Sequence, residues 1–429
     1  MNKKQTQAQS HVSRREALKL GAMGIAGISL PGCGLEKATS PTSFSANDLH
    51  PESDQWNAVR SHFNTLGGLS YLNNASIGMP PAVVVHAVAD GYRAQSEDPI
   101  HAKHQLQASI RDQVLPKLGH FLGTLPTEVT LTRNASMALY IQATGLDLRR
   151  GDEVIITSQE HPAGRAPWSY RSLREDIAIK EIHIPSPLPP VEDILAEFEA
   201  ARTPKTRAIS FCHVTRGGHL YPVKELCTWA RERGIISLVD GAQAVGQFSV
   251  DLKNLGCDAY AASLHKWTLA PCGTGFMYIS QASADQFRSI FSADPDTIAY
   301  GAPGTADLPV RAGIGPALAF IESIGLDRTE ARCRYLSDYL KNRLSNEDGV
   351  TLLSGTRHQS APGSTIFEMA GVDALAAVDQ LADVNVHIDE HQRDGHNAIR
   401  ISTHFYNTRT EIDNAVDHLL SIRGTMHST

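Results

Sequence analysis

Three short stretches carry side chains that could act together as a catalytic set. In Val239-Asp240-Gly241-Ala242-Gln243 an apolar run ends in an acid and then in small residues. In a parallel sheet, ligands sit at the carboxyl ends of strands, so an Asp240 so placed can stabilise a cation such as a protonated pyridine ring. In Ala261-Ala262-Ser263-Leu264-His265-Lys266-Trp267 a lysine stands among small and apolar residues. Desolvation lowers the pKa of such an amine and suits it to Schiff-base chemistry. In Thr132-Arg133-Asn134-Ala135-Ser136-Met137 a strand-to-helix turn offers backbone N–H groups and a hydroxyl, the makings of a phosphate cradle. Each stretch alone has a plainer reading: Asp240 as the cap of the next helix, Lys266 as a solvated surface charge, and the third turn as an N-cap.

These residues need an alternating scaffold to bring them together. Val154-Ile155-Ile156-Thr157, Ala208-Ile209-Ser210-Phe211-Cys212 and Ile235-Ile236-Ser237-Leu238-Val239-Asp240 have the pattern of buried strands. Helical patterns lie between them, as from Pro222 to Arg233, stopped by Gly234. Such alternation implies right-handed crossovers and a mainly parallel sheet. Near Pro316 the pattern changes to long helices with a few strands, which predicts a second, smaller α+β domain. The expected boundaries are a leader over 1–33, an arm and linker over 34–65, a large domain over 66–315 and a small C-terminal domain over 316–429.

The 429 residues are 41% hydrophobic and 20% charged. This gives room for two packed domains and excludes disorder, collagen-like repeats and a disulfide miniprotein. No apolar run is long enough for a multi-span membrane protein. Net charge is −7, of which the first 32 residues contribute +4, leaving −11 for the body. An acidic body argues against nucleic acid or an anionic membrane as the main partner. The leader itself reads Ser13-Arg14-Arg15-Glu16-Ala17-Leu18-Lys19-Leu20, then small and apolar residues to Leu30. That is the twin-arginine export pattern, which predicts passage through the twin-arginine machinery to the periplasm. The other reading is a short amphipathic helix, which Gly21, Gly24 and Gly27 oppose. Leu30-Pro31-Gly32-Cys33 is either a lipoprotein box that would anchor the chain at Cys33 or is bypassed by signal cleavage further on. The body cysteines, Cys212, Cys227, Cys257, Cys272 and Cys333, show no metal-ligand spacing and read as small core residues, so no metal is expected.

In this order the stretches resemble the pyridoxal-phosphate enzymes of aminotransferase class V, in the isopenicillin N epimerase-like branch. The resemblance covers nearly the whole body. It runs through Tyr71-Leu72-Asn73-Asn74-Ala75-Ser76, Thr132 to Ser136, Glu160-His161-Pro162-Ala163, His213-Val214-Thr215 and Asp240 to Gln243. It continues in Ser263 to Lys266, Gly304-Thr305 and Ile399-Arg400-Ile401-Ser402. It implies an α/β fold of type I, with a mainly parallel seven-stranded sheet, a smaller C-terminal α+β domain and pyridoxal 5'-phosphate as cofactor. Lys266 would hold the cofactor covalently and move protons, and Asp240 would pair with the pyridinium nitrogen. Gln243 would bond the ring oxygen and His161 would stack on the ring. Ala135, Ser136, Ser263 and His265 would bind the phosphate. Thr305 would reach the phosphate of a neighbouring subunit, so a homodimer is expected. Arg400 would grip the substrate α-carboxylate, with Asn74 and Arg216 also on the substrate. Plainer roles stay open for His161 as a structural histidine, Arg400 as a structural ion pair and Arg216 as a surface arginine.

The chain departs from the desulfurases of this class, which use a cysteine on a loop shortly before the carboxylate-binding arginine. Its last cysteine is Cys333, and Glu390-His391-Gln392-Arg393-Asp394-Gly395-His396 precedes Arg400 instead. Arg216 or Arg393 is expected to read a second acidic group. With the leader, the resemblance implies an exported enzyme acting on a siderophore-peptide substrate, the glutamyl group of a pyoverdine precursor. The expected reaction is oxidative decarboxylation to a succinamide side chain. The alternatives are a transaminase or epimerase of a small or peptide-borne amino acid, and a catalytically silent fold, which the intact Lys266, Asp240 and His161 set opposes.

Overall fold

The computed structural model describes residues 44–291 and 304–426. The paired arginines and Cys33 lie outside the described residues. The strands are β1 (Ser70–Tyr71), β2 (Val129–Thr132), β3 (Glu153–Thr157), β4 (Ala178–Ile182), β5 (Thr206–Cys212), β6 (Ile236–Asp240), β7 (Ala259–Ser263) and β8 (Gly275–Ile279). They are followed by β9 (Val350–Leu352), β10 (Ser364–Met369), β11 (Val386–His387), β12 (Asp389–His391) and β13 (Ala398–Ser402). Seven of them form the central sheet in the order β2-β8-β7-β6-β5-β3-β4. Only β8 runs against its neighbours, β2 and β7. The expected mainly parallel seven-stranded sheet is therefore present.

Burial on both faces explains why these strands are continuous apolar runs. Alternate residues serve opposite sides. Val154, Ile156, Ala208, Leu238 and Ala261 pack into one core with Leu139 and Trp168. Ile155, Ile209, Phe211, Val239, Tyr260 and Ala262 pack into the other with Phe276 and Leu318. Small residues on β7 let the helix Ala135–Gly145 lie close, with Ala135 and Ala138 among its buried residues. The helix expected from Pro222 to Arg233 spans Val223–Arg231, and Gly234 follows it at φ +66°.

The second sheet is antiparallel, in the order β12-β13-β10-β9. Leu336, Leu340 and Leu344 recur every four residues on the helix Leu326–Ser345 and cover it, with Phe367, Ile399, Ile401, Val416 and Leu419. No helix among the described residues is long and apolar enough to cross a membrane.

The stretch read from sequence as an arm is, from residue 44, packed structure. Trp56, Val59 and Phe63 stand at helical spacing, and they join Phe320, Phe405 and Tyr406 in one core. Arg60 donates from Nη2 to Glu411 Oε1 at 2.7 Å. β1 pairs in parallel with β11, Ser70 opposite Val386. The start of the body is thus built into its end.

Candidate active site

The direction of the strands decides where the site forms. β2, β3, β5, β6 and β7 all run the same way, so their carboxyl ends share one edge. Asn134 to Ser136 follow β2, His161 follows β3 and Arg216 follows β5. Asp240 ends β6, Ser263 ends β7, and His265 and Lys266 come next. These side chains line a cavity of about 250 Å³, joined from the second sheet by Asp389 and Arg400 and from the N-terminal side by Ala75 and Ser76.

Lys266 is half-buried and makes no hydrogen bond or ion pair among the described residues. Burial lowers its amine to about 8, with Arg400 and Arg216 adding to the fall and Asp240 opposing it. Close backbone packing holds it. Gly78 N–H donates to His265 O at 2.8 Å, and a Cβ at Gly78 would lie 1.9 Å from Lys266 O. The next residue, Trp267, donates from Nε1 to Gln243 Oε1 at 2.8 Å, while Gln243 Nε2 donates to Ala75 O at 2.9 Å.

Asp240 is buried, which raises its carboxyl pKa; the Ala242 N–H and Lys266 pull the other way. Ala242 N–H donates to its Oδ1 at 2.9 Å. The turn after it passes under Tyr260, whose ring leaves no room for a Cβ at position 241. His161 caps the helix Pro162–Glu175, its Nδ1 accepting from Ala163 N–H at 3.1 Å. It stands exposed at the cavity mouth. Loss of solvent on its inner side and then the cations Lys266, Arg393, Arg216 and Arg400 lower its imidazole to about 4, so it is neutral at pH 7. His265 is shifted the same way by burial.

Asn134 caps the helix Ala135–Gly145, its Oδ1 accepting from Met137 N–H at 2.9 Å. Ala135 N–H donates to Ser263 Oγ at 2.9 Å. The helix start, the Ser136 hydroxyl, Ser263 and His265 surround the same end of the cavity. A positive helix terminus with hydroxyl donors suits a phosphate.

Arg400 lies in mid-strand on β13 and is 2% exposed. Burial lowers its guanidinium to about 10, opposed by Asp389. Its Nη2 donates to Asp389 Oδ2 and to Asn73 Oδ1 at 3.3 Å. Its Nε is buried without a partner among the described residues. Arg216 Nη2 donates to Asp389 Oδ1 at 3.3 Å and to Glu390 Oε1 at 2.5 Å. Arg393 Nη1 donates to Glu160 O at 2.9 Å, which brings a third guanidinium to the site.

Two expected residues lie elsewhere. Asn74 does not line the cavity; it is fully buried, accepting from Tyr406 Oη at 2.8 Å. Its neighbour Asn73, bridged to Ser402 of β13, makes the contact with Arg400, while Asn74 begins a turn. Thr305 is exposed and borders a groove with Lys103, Arg111 and Arg311, away from the cavity of its own protomer. Sequence reasoning missed Gln159, Cys212 and Asp389 as cavity residues. The first two stand at strand ends, which was the available signal; Asp389 has none, since only register sets it opposite Arg400.

The residues fit pyridoxal phosphate: an unpaired lysine, a buried acid across from it, a hydroxyl-rich helix start at one end and an arginine wall at the other. Fold and site together define a pyridoxal-phosphate enzyme of fold type I. The aminotransferase class-V family model matches residues 70–415, and the chain belongs to that family. Isopenicillin N epimerase of Streptomyces clavuligerus is 28% identical over 378 residues, covering 82% of this chain and 94% of the epimerase. A probable cysteine desulfurase of Xylella fastidiosa (strain Temecula1) is 27% identical over 411 residues, covering 87% and 97%. Among solved structures, C-DES with glycine covalently linked to its pyridoxal-phosphate cofactor superposes with a TM-score of 0.74 at 24% identity, covering 84% and 98%. The desulfurase likeness does not extend to a cysteine in the stretch of chain shortly before Arg400, since none follows Cys333 in the sequence. Cys333 is buried in the helix Leu326–Ser345, its thiol pushed up to about 12 by burial.

Proposed function

We propose that this chain acts at the α-carbon of an acidic amino acid carried on a larger molecule. In this reading the substrate is the glutamyl head of a pyoverdine siderophore precursor, met in the periplasm after twin-arginine export; its α-carboxylate leaves as carbon dioxide, dioxygen serves as the oxidant, and the product is a succinamide. Such an enzyme would resemble PvdN. The observation that carries the acidic substrate is the arginine wall. Arg400 and Arg216 line the cavity, and Arg393 adds its charge at His161, in a protein whose net charge is −7. The leader supports the export half of the proposal.

Pyridoxal phosphate, when bound, supplies an electron sink for a carbanion at the substrate α-carbon. The chain's residues do the rest. Ser136, Ser263, His265 and the helix start would hold the phosphate. Asp240 would stabilise a proton on the ring nitrogen, a stronger interaction in a buried site than in water. His161, neutral at pH 7, would lie against the cofactor without adding charge. Lys266, its amine lowered to about 8, would take and return a proton at Nζ. Arg400 would orient the carboxylate.

Borohydride reduction of the purified holoenzyme followed by peptide mapping is expected to leave a pyridoxyl group on Lys266. Label on another residue, or none, overturns the assignment. Aerobic incubation with a glutamyl-headed siderophore precursor then tests the substrate. Loss of the carboxylate carbon with an amide left behind supports the proposal. A keto acid makes the enzyme a transaminase, and an unchanged precursor alongside turnover of free amino acids replaces the siderophore reading.

A further inference from the structure

Asp389 occupies the position that the preceding reading gives to a substrate. Its two carboxylate oxygens reach different guanidiniums: Oδ1 is 3.3 Å from Arg216 Nη2, and Oδ2 accepts from Arg400 Nη2. Glu390 N–H also donates to Oδ1, at 2.9 Å. The register of β12 and β13 sets Asp389 directly opposite Arg400, so the two side chains are cross-strand neighbours. Asp389 faces the cavity, and its side chain retains 21% of its exposure, against 2% for Arg400.

We propose that Asp389 is a built-in stand-in for the substrate carboxylate and thereby a specificity-determining residue. It holds Arg216 and Arg400 together until an incoming carboxylate displaces it. The argument is one of charge and geometry. A guanidinium as buried as Arg400 needs a counter-charge. Asp389 supplies it, and Arg400 Nε remains without a partner among the described residues. A carboxylate bound edge-on to a guanidinium takes two parallel N–H donors. Such a ligand must take the Nη2 donor from Asp389, and it then finds the unused Nε beside it. Asp389 is the partner able to leave, being the more exposed of the two and standing at the cavity wall. The freed Arg216 keeps Glu390 at 2.5 Å. A ligand with one free carboxylate, as a glutamyl head has once its other carboxyl is in amide linkage, must outcompete Asp389 for Arg400, and a further acid elsewhere on the larger molecule would find Arg216 released from Asp389.

This inference rests on Arg400 being the carboxylate anchor, and the test separates the two. Glutarate and propionate, which carry no amine, are titrated into holoenzyme by calorimetry. Asp389→Asn, which removes the competing charge, is expected to bind both anions about tenfold or more tightly than wild type, the scale of one charge-assisted hydrogen bond. Equal or weaker binding overturns the proposal. A structure of wild-type holoenzyme with glutarate gives a second answer that needs no variant. Asp389 turned away from Arg400 with a ligand carboxylate in its place supports the proposal, and Asp389 still seated on Arg400 overturns it. If glutarate binds Arg400→Gln as it binds wild type, the anchor assignment itself is wrong and the stand-in falls with it.

Discussion

Burial sets the protonation of the groups beneath the cavity, and Glu160 shows the effect most clearly. It is 1% exposed, and its Oε1 accepts from Thr157 Oγ1 at 2.7 Å and from Cys212 N–H at 3.1 Å. Its Oε2 has no partner among the described residues. Burial, with Asp240 adding its charge, raises this carboxyl to about 8. Between the ordinary carboxylate range and about 8 the folded state binds a proton that the unfolded state has lost. Glu160 therefore makes stability fall as pH rises across that window. Lys266 acts in the next window with the opposite slope. Above about 8 the folded amine has lost a proton that the unfolded chain keeps, so stability rises toward the ordinary lysine range. In cofactor-free protein, Glu160→Gln is expected to flatten the decline in the urea midpoint between pH 5 and 8. Parallel profiles for the variant and wild type would show that Glu160 is ionised in the fold. Glu160 was visible in the sequence only as the neighbour of His161; nothing local marks it as buried.

At the scale of elements, the site was legible wherever chemistry sits at the end of an apolar strand. Asp240, Ser263 and the turn at Asn134 announce themselves because a parallel sheet sends ligands to its carboxyl edge. The second sheet gave no such signal. Asp389 meets Arg400 through antiparallel register, a relation between segments that periodicity does not carry. Asn74 was expected on the substrate, whereas Asn73 is the neighbour that meets Arg400, and no local pattern separates two adjacent asparagines. Within the segment expected as an arm and linker over 34–65, Trp56, Val59 and Phe63 form an apolar stripe that needs a partner. Trp56 is 3% exposed, and its ring packs near Phe405 with centroids 6.0 Å apart. Trp56→Ala is expected to cost about 3–5 kcal/mol of stability, the range for large aromatic truncations in a core. A urea midpoint near that of wild type would return residues 44–65 to the status of an arm.

For the whole molecule, the groove that Thr305 shares with Lys103, Arg111 and Arg311 lies apart from the protomer's own cavity. A role for Thr305 on a phosphate therefore requires a second copy. Purified protein is expected to sediment at twice the protomer mass, and Thr305→Ala to weaken cofactor retention without dispersing the dimer. A monomer that retains cofactor fully would overturn both statements. The clasp between the two ends of the body has a consequence for biosynthesis. Arg60 meets Glu411 across 351 positions of sequence, and β1 waits for β11. A ribosome releases Trp56, Val59 and Phe63 long before Phe405 and Tyr406 exist. Throughout elongation that greasy stripe has nowhere native to go, so the emerging chain is a client for holding chaperones. A chain truncated before Phe405 lacks Phe405 and Tyr406, aromatic partners that cover the stripe, and leaves it open to water.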